Sequence, residues 1–239
     1  MDNILKRVLI YTGLTLFTTL LFAQTSVVLR DLETWSSVGI KGKLGKKWNF
    51  EIEEQLRLNK NSTLIDEYFT GVSLKYTLID KHLKFAGGYR FISENNFDPT
   101  YELEQRFNFD LIYLHSFNQL KLSTRFRYQN RNDIGEKIGD GDYPRQYFRL
   151  RLKAEYKIKN WKFDPVASVE LYRKFERYTI PYYSDLRFRI GTSYNMKKYG
   201  EIEAFYQIDK ELGVSYPQTT YVLGIGYRYK LGNIFKNKD

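Results

Sequence analysis

The chain has no cysteine and only two histidines in 239 residues. The first absence excludes a disulfide framework, thiol catalysis and thiolate metal sites together. The second leaves almost nothing for a histidine-built metal or acid–base centre. After the N-terminus no apolar run approaches the ~20 residues that a spanning helix needs. Acidic residues are the minority charge, 28 Asp and Glu against 38 Lys and Arg, for a formal +10. What the chain has in quantity is rings: 21 Tyr and 17 Phe, in a sequence of negative mean hydropathy, −0.53. Many rings in a hydrophilic chain lean towards β structure with aromatics at an interface.

Met1–Arg7 carries Lys6 and Arg7, Val8–Phe22 is apolar and uncharged, and Leu21-Phe22-Ala23 places a small residue before Gln24. This is the layout of a secretory signal peptide covering 1–23. The competing reading is a single membrane anchor, since Leu9 to Phe22 falls only slightly short of a span. Removing 1–23 takes away two basic residues and Asp2, which leaves 24–239 as one domain of charge +9. An exported protein does not meet nucleic acid where it works, so the basic surplus needs another explanation.

Period-2 alternation repeats along nearly all of 24–239. In Trp48–Leu58, Trp48, Phe50, Ile52, Leu56 and Leu58 alternate with Asn49, Glu51, Glu53, Gln55 and Arg57. Tyr68–Leu78, Leu83–Phe91, Tyr101–Leu114, Leu120–Tyr128, Phe148–Ile158, Phe163–Phe175, Leu186–Tyr194, Ile202–Ile208 and Tyr221–Leu231 repeat the pattern, and Val38 and Ile40 anchor one more strand over 34–42. Most of these are far longer than the ~5–6 residues of soluble sheets, and they match the ~9–11 of a tilted membrane strand. Short turns are expected near Gly45-Lys46, Asp80-Lys81, Phe117-Asn118, Lys159-Asn160 and Lys197-Lys198. Longer loops are expected at 59–67, 93–100, 131–145, 176–183 and 209–220. That alternation of lengths is typical of outer-membrane barrels, with the short turns periplasmic.

A soluble barrel or sandwich would turn the same apolar faces inward. The rings argue against it. Trp48, Tyr76, Tyr113, Tyr156 and Tyr194 collect at the short-turn end, and Tyr101 and Tyr128 at the other, as two aromatic girdles bounding an apolar band would. The expected fold is therefore an all-β, antiparallel up-and-down transmembrane barrel. Eleven strands are evident, and a closed antiparallel barrel needs an even number. Twelve are expected, with Ser26–Arg30 supplying the first; ten is the alternative.

The chain also resembles a family of bacterial outer-membrane barrels catalogued as domain of unknown function 2490. The resemblance rests on Asp31-Leu32-Glu33-Thr34-Trp35, Leu44-Gly45-Lys46-Lys47-Trp48 and Asp66-Glu67-Tyr68-Phe69. It continues in Gly87-Gly88-Tyr89-Arg90, Arg125-Phe126-Arg127-Tyr128-Gln129 and Gly226-Tyr227-Arg228-Tyr229. It implies a β-barrel and export, and no reaction. One departure is the tail Gly232–Asp239, which follows the place where many barrels end on an aromatic residue.

No constellation points to an enzyme. His82 and His115 fall at short turns on the periplasmic side, whereas a barrel lipase would need Ser and His together on the lipid face near the external leaflet. Asp133–Asp142 is acidic and glycine-rich but lacks the spacing of a calcium loop, so a plain turn is favoured. No catalytic residue, cofactor or metal is expected. Glu54 interrupts an apolar face between Ile52 and Leu56; a local bulge is the favoured reading over a protomer contact.

The polar face is the densest signal. Glu102, Glu104, Asp110, Glu201 and Glu203 are expected in the lumen with Arg125, Arg127, Arg149, Arg151, Arg187 and Arg189. Over all assigned inward positions, seventeen basic residues face twelve acidic ones, an excess of five. Residues 121–129 and 149–157 hold most of it, as a basic stripe. Pairing 104 with 131 and 110 with 125 sets Glu104 against Arg131 and Asp110 against Arg125, the expected register. A small passive channel or transport barrel in the outer membrane of a Gram-negative bacterium is the leading expectation, ahead of a closed barrel acting through its loops. Expected partners are membrane lipid, lipopolysaccharide and the assembly machinery, not nucleic acid; a solute or protein ligand is not readable.

Overall fold

The structure is a computed structural model that describes residues 29–95, 101–135, 144–177 and 179–234. The expected signal peptide, 1–23, lies outside these, as does most of Asp133–Asp142. The first strands are β1 (Leu29–Leu44), β2 (Trp48–Asn59), β3 (Leu64–Ile79) and β4 (Leu83–Asn95). They are followed by β5 (Tyr101–Phe117), β6 (Leu120–Asp133), β7 (Arg145–Tyr156) and β8 (Phe163–Phe175). The last are β9 (Tyr182–Asn195), β10 (Glu201–Glu211) and β11 (Gln218–Asn233).

These strands close one barrel in sequence order, with β1 beside β11. Every neighbour is antiparallel except that last pair, which is parallel from Leu29↔Gln218 to Lys41↔Lys230. The expectation of twelve or ten strands is thereby corrected to eleven. An odd count closes when one seam is parallel, and here both seam strands run from the long-loop end to the short-turn end. Leu29 and Arg30, assigned to a separate strand, begin β1. Side chains anchor that start: the Asp31 carboxylate accepts from the Lys60 and Asn61 N–H groups at 2.9 and 2.7 Å, and Thr34 bonds Ser62 at 2.7 Å.

Turns with left-handed residues join the strands at the short-turn end, at Gly45, Lys81, Asn118 and Asn160. A 3₁₀ turn, Lys197–Tyr199, makes the fifth connection, ending at Gly200 with φ of 109°. The loop expected at 59–67 is only the turn 60–63, because Lys60, Asn61 and Ser62 all take positive φ and reverse the chain tightly.

Alternation puts apolar side chains outside and charged ones inside. On β5, Phe107, Phe109 and Leu111 are 43, 51 and 43% exposed, while Arg106, Asn108 and Asp110 are 6, 7 and 5% exposed. The rings therefore do not fill a dry interior. Trp48, Tyr76, Tyr113, Tyr156 and Tyr194 lie outside at the short-turn end, Trp48 against Tyr76 at 4.8 Å and Tyr194 against Phe163 at 5.4 Å. Tyr101 and Tyr128 lie in the long-loop half, where Tyr128 packs on Phe148 at 5.4 Å.

Two local expectations are corrected. β5 and β6 pair as Glu104↔Asp133 and Asp110↔Arg127, two residues away from the expected register. The turn decides this. Asn118, at φ of 48°, makes a two-residue hairpin closed by Phe117↔Leu120, and the pairing propagates from there. Arg106 then faces Arg131, which turns to the carboxylates of Glu94 and Glu104 instead. In a chain without native cysteine, cysteines at 110 and 127 should oxidise readily to a cross-link and those at 110 and 125 should not. Direct partners lie ~5 Å apart and diagonal ones ~7–8 Å, beyond easy disulfide reach. Preferential 110–125 linkage on non-reducing gels would overturn the register.

Glu54, the second case, sits in unbroken pairing, opposite Val38 and Thr70. The bulge expected there lies instead between Arg57 and Leu58. The carboxylate accepts from the Thr70 hydroxyl at 2.9 Å and from Tyr68, both neighbours on the outer face. Hydrogen bonds, not an irregular backbone, accommodate it.

Candidate functional site: a charged lumen

Between β6 and β7 the inward positions form a ladder of facing arginines: Arg125↔Arg151, Arg127↔Arg149 and Arg131↔Arg145. Like charges directly opposite are unfavourable, so the flanking strands matter. From β5, Asp110 accepts Arg127 through both oxygens, at 2.6 and 2.7 Å. From β8, Glu170 accepts Arg125 at 2.5 Å and Arg149 at 3.0 Å. Arg149 also donates to Gln129 at 2.8 Å and to the Tyr172 hydroxyl at 2.7 Å. Glu104 binds both Arg131 and Arg145. All three carboxylates are buried.

The remaining walls are more evenly matched. Arg187 holds Asp209 bidentately at 2.8 and 2.6 Å. Arg228 bridges Glu51 and Glu203 at 2.8 and 2.7 Å, and Lys41 reaches Glu201 at 2.6 Å. Glu102 is exposed at the long-loop rim, opposite Glu94.

Aromatics also stand inside. The Arg57 guanidinium lies 4.0 Å from the Trp35 ring centre, Arg90 3.8 Å from Phe69, and Arg189 3.8 Å from Phe205. Such stacking favours a cation where water is scarce. Phe69, Ile92 and Val222 are fully buried and Trp35 nearly so, and together they fill the side of the lumen formed by β11, β1, β3 and β4. Phe205 fits because it crosses Gly224: a Cβ there would come 2.0 Å from the ring.

A cavity of about 630 Å³ remains, and the arginine ladder lines it. Among the described residues fifteen Lys and Arg line it against eight Asp and Glu, so the basic excess is seven. Lys41, Arg131 and Arg145, which are not among the seventeen basic residues expected inside, also line the cavity. Lys157, one of the seventeen, lies exposed beyond the end of β7. The lumen aromatics went unnoticed although parity marks them: Phe69 and Phe205 sit one residue out of phase with the outward Tyr68 and Tyr206. His82 and His115 lie at the short-turn end, His82 against the Leu114 carbonyl at 3.3 Å and His115 on the Phe117 ring at 4.1 Å. Among the described residues no cluster of three potential metal ligands occurs.

The sequence profile of a family described as "Protein of unknown function (DUF2490)" matches residues 32–233. The chain belongs to this family. The match runs from within β1 to the end of β11, so the family unit is the whole barrel. No curated protein matches the chain, and no solved structure does.

Proposed function

We propose that this family member is exported behind a cleaved signal peptide and inserted in the outer membrane of a Gram-negative bacterium, where it passes small anionic solutes. The observation that carries the reading is the inversion of the barrel: apolar outside, charged inside, with a basic cavity between. Strands of 11 to 17 residues are long enough to cross a ~30 Å hydrocarbon layer at a tilt. No helix among the described residues is long and apolar enough to cross, and that has no bearing on strands. Low-dielectric walls focus the field of the arginines, and rings of basic side chains favour anions. Lipid, lipopolysaccharide and the assembly machinery are the partners such a barrel requires; the reading includes no catalysis.

A closed barrel acting through its loops is the second reading, and the fully buried Phe69, Ile92 and Val222 favour it. Planar bilayers under a salt gradient separate the two. Anion-selective reversal potential is expected; no conductance would favour the closed barrel, and a cation-selective sign would overturn anion passage. Recovery of the protein as a soluble periplasmic species would end the membrane reading itself.

A further inference from the structure

Arg125 and Arg151 face each other across β6 and β7, and the Nε–H of each is buried without an acceptor among the described residues. Arg125 is only 7% exposed, and one of its terminal nitrogens is spent on Glu170. Arg151 forms no ion pair with any described carboxylate within 4.0 Å, although it lines the cavity. On β9, Arg189 lies within reach of the charges of Arg187, Glu203 and Arg151, and donates to the neutral Gln207 at 2.7 Å. The two nearest carboxylates are already engaged, Asp110 through both oxygens by Arg127 and Glu170 by Arg125 and Arg149. Four guanidiniums, those of Arg125, Arg127, Arg149 and Arg151, thus share two carboxylates. A guanidinium left without counter-charge in a buried site is unfavourable, and a chain that keeps an arginine pair facing one another against that cost has a use for it.

We infer that this face of the lumen is a binding site for one phosphate-class dianion, either free phosphate or a small phosphate monoester. The planar fork of Arg fits the oxygens of a tetrahedral oxyanion through two parallel donors, which a spherical halide cannot use. Arg151, which holds no described carboxylate, supplies the charge at the cavity wall. The idle Nε–H groups of Arg125 and Arg151 become directed donors once these side chains turn towards the anion, and the cavity exceeds one phosphate group, leaving room for a small ester substituent. The inference rests on the proposed solute-accessible lumen, and goes beyond general anion preference to a saturable site.

The test is calorimetric titration of the full chain in detergent with inorganic phosphate, glycerol phosphate and chloride at matched ionic strength. Saturable one-site binding of a phosphate compound, with chloride giving only dilution heat, is expected. The stronger of the two phosphate ligands identifies whether the free ion or the ester is preferred. Affinity for the ester should rise from pH 5 to pH 7.5, because its second proton leaves near pH ~6 while arginine stays charged. Arg151→Gln should weaken binding roughly tenfold or more, the effect of losing one charge-assisted contact. Arg151→Lys should restore part of it, and Lys46→Gln, in a distant turn, should change nothing. Equal response to chloride and phosphate in the wild-type protein would overturn the site, and so would wild-type affinity in folded Arg151→Gln. Binding without conductance would leave the site in a closed barrel, whereas conductance without binding would leave a channel with no such site.

Discussion

Glu170→Gln should destabilise the barrel by roughly 3–5 kcal/mol, the usual consequence of deleting one member of a buried ion cluster. Glu170 is 3% exposed and is the one carboxylate shared by Arg125 and Arg149. Glutamine keeps the shape and one acceptor but removes the charge, leaving two buried guanidiniums beside Arg127 and Arg151. Unfolding in urea, followed by loss of heat-modifiable mobility on gels, measures the effect. Adding Arg149→Gln should recover part of the loss, since one of the uncompensated charges goes with it; the two changes act on one network and will not add. A neutral Glu170→Gln would mean that water, not the carboxylate, balances these arginines, and the lumen would then be wetter than its burial indicates.

The second large effect is on permeation. Changing Arg125, Arg127, Arg149 and Arg151 together to Gln removes four of the fifteen basic side chains that line the cavity and none of the eight acidic ones. The loss is concentrated on one wall, where Asp110 and Glu170 then stand without partners. Because a charged constriction alters local ion concentration by roughly tenfold or more, the anion preference should fall several-fold towards no selectivity. The reversal potential under a potassium chloride gradient reads this directly, with single-channel conductance as the check that the pore still forms. A quadruple variant with unchanged reversal potential would place selectivity elsewhere, at the exposed rim near Glu102 and Lys174, and would remove the ladder from the permeation path.

Period-2 patterning is legible without a structure, because a side chain's face depends only on its own position in the strand. Hence Trp48, Phe50 and Ile52 could be assigned outside, and Arg125, Arg127, Arg149 and Arg151 inside, from residue order alone. The resemblance carried by segments such as Asp66-Glu67-Tyr68-Phe69 pointed to the family that the match over 32–233 establishes. What one face cannot encode is how far neighbouring strands slide. A slip of two residues keeps every inward side chain inward, so the charges on β5 and β6 admitted both Asp110 against Arg125 and Asp110 against Arg127. The left-handed Asn118 in the connecting turn chose between them. Closure is likewise a property of strands far apart in the chain. Residues 29–41 and 218–230 carry no sequence mark of a parallel seam, and only their meeting around the circumference makes eleven strands sufficient. Glu54 depended on two neighbours, Thr70 and Tyr68, contributed by the adjacent strand. The lumen follows the same division. Its residue types and their inward face were determined by order along the chain, while which arginines hold a carboxylate and which keep idle donors was decided by three-dimensional neighbours. Burial then made that distinction matter, because an unmatched guanidinium costs little in water and several kcal/mol inside a wall.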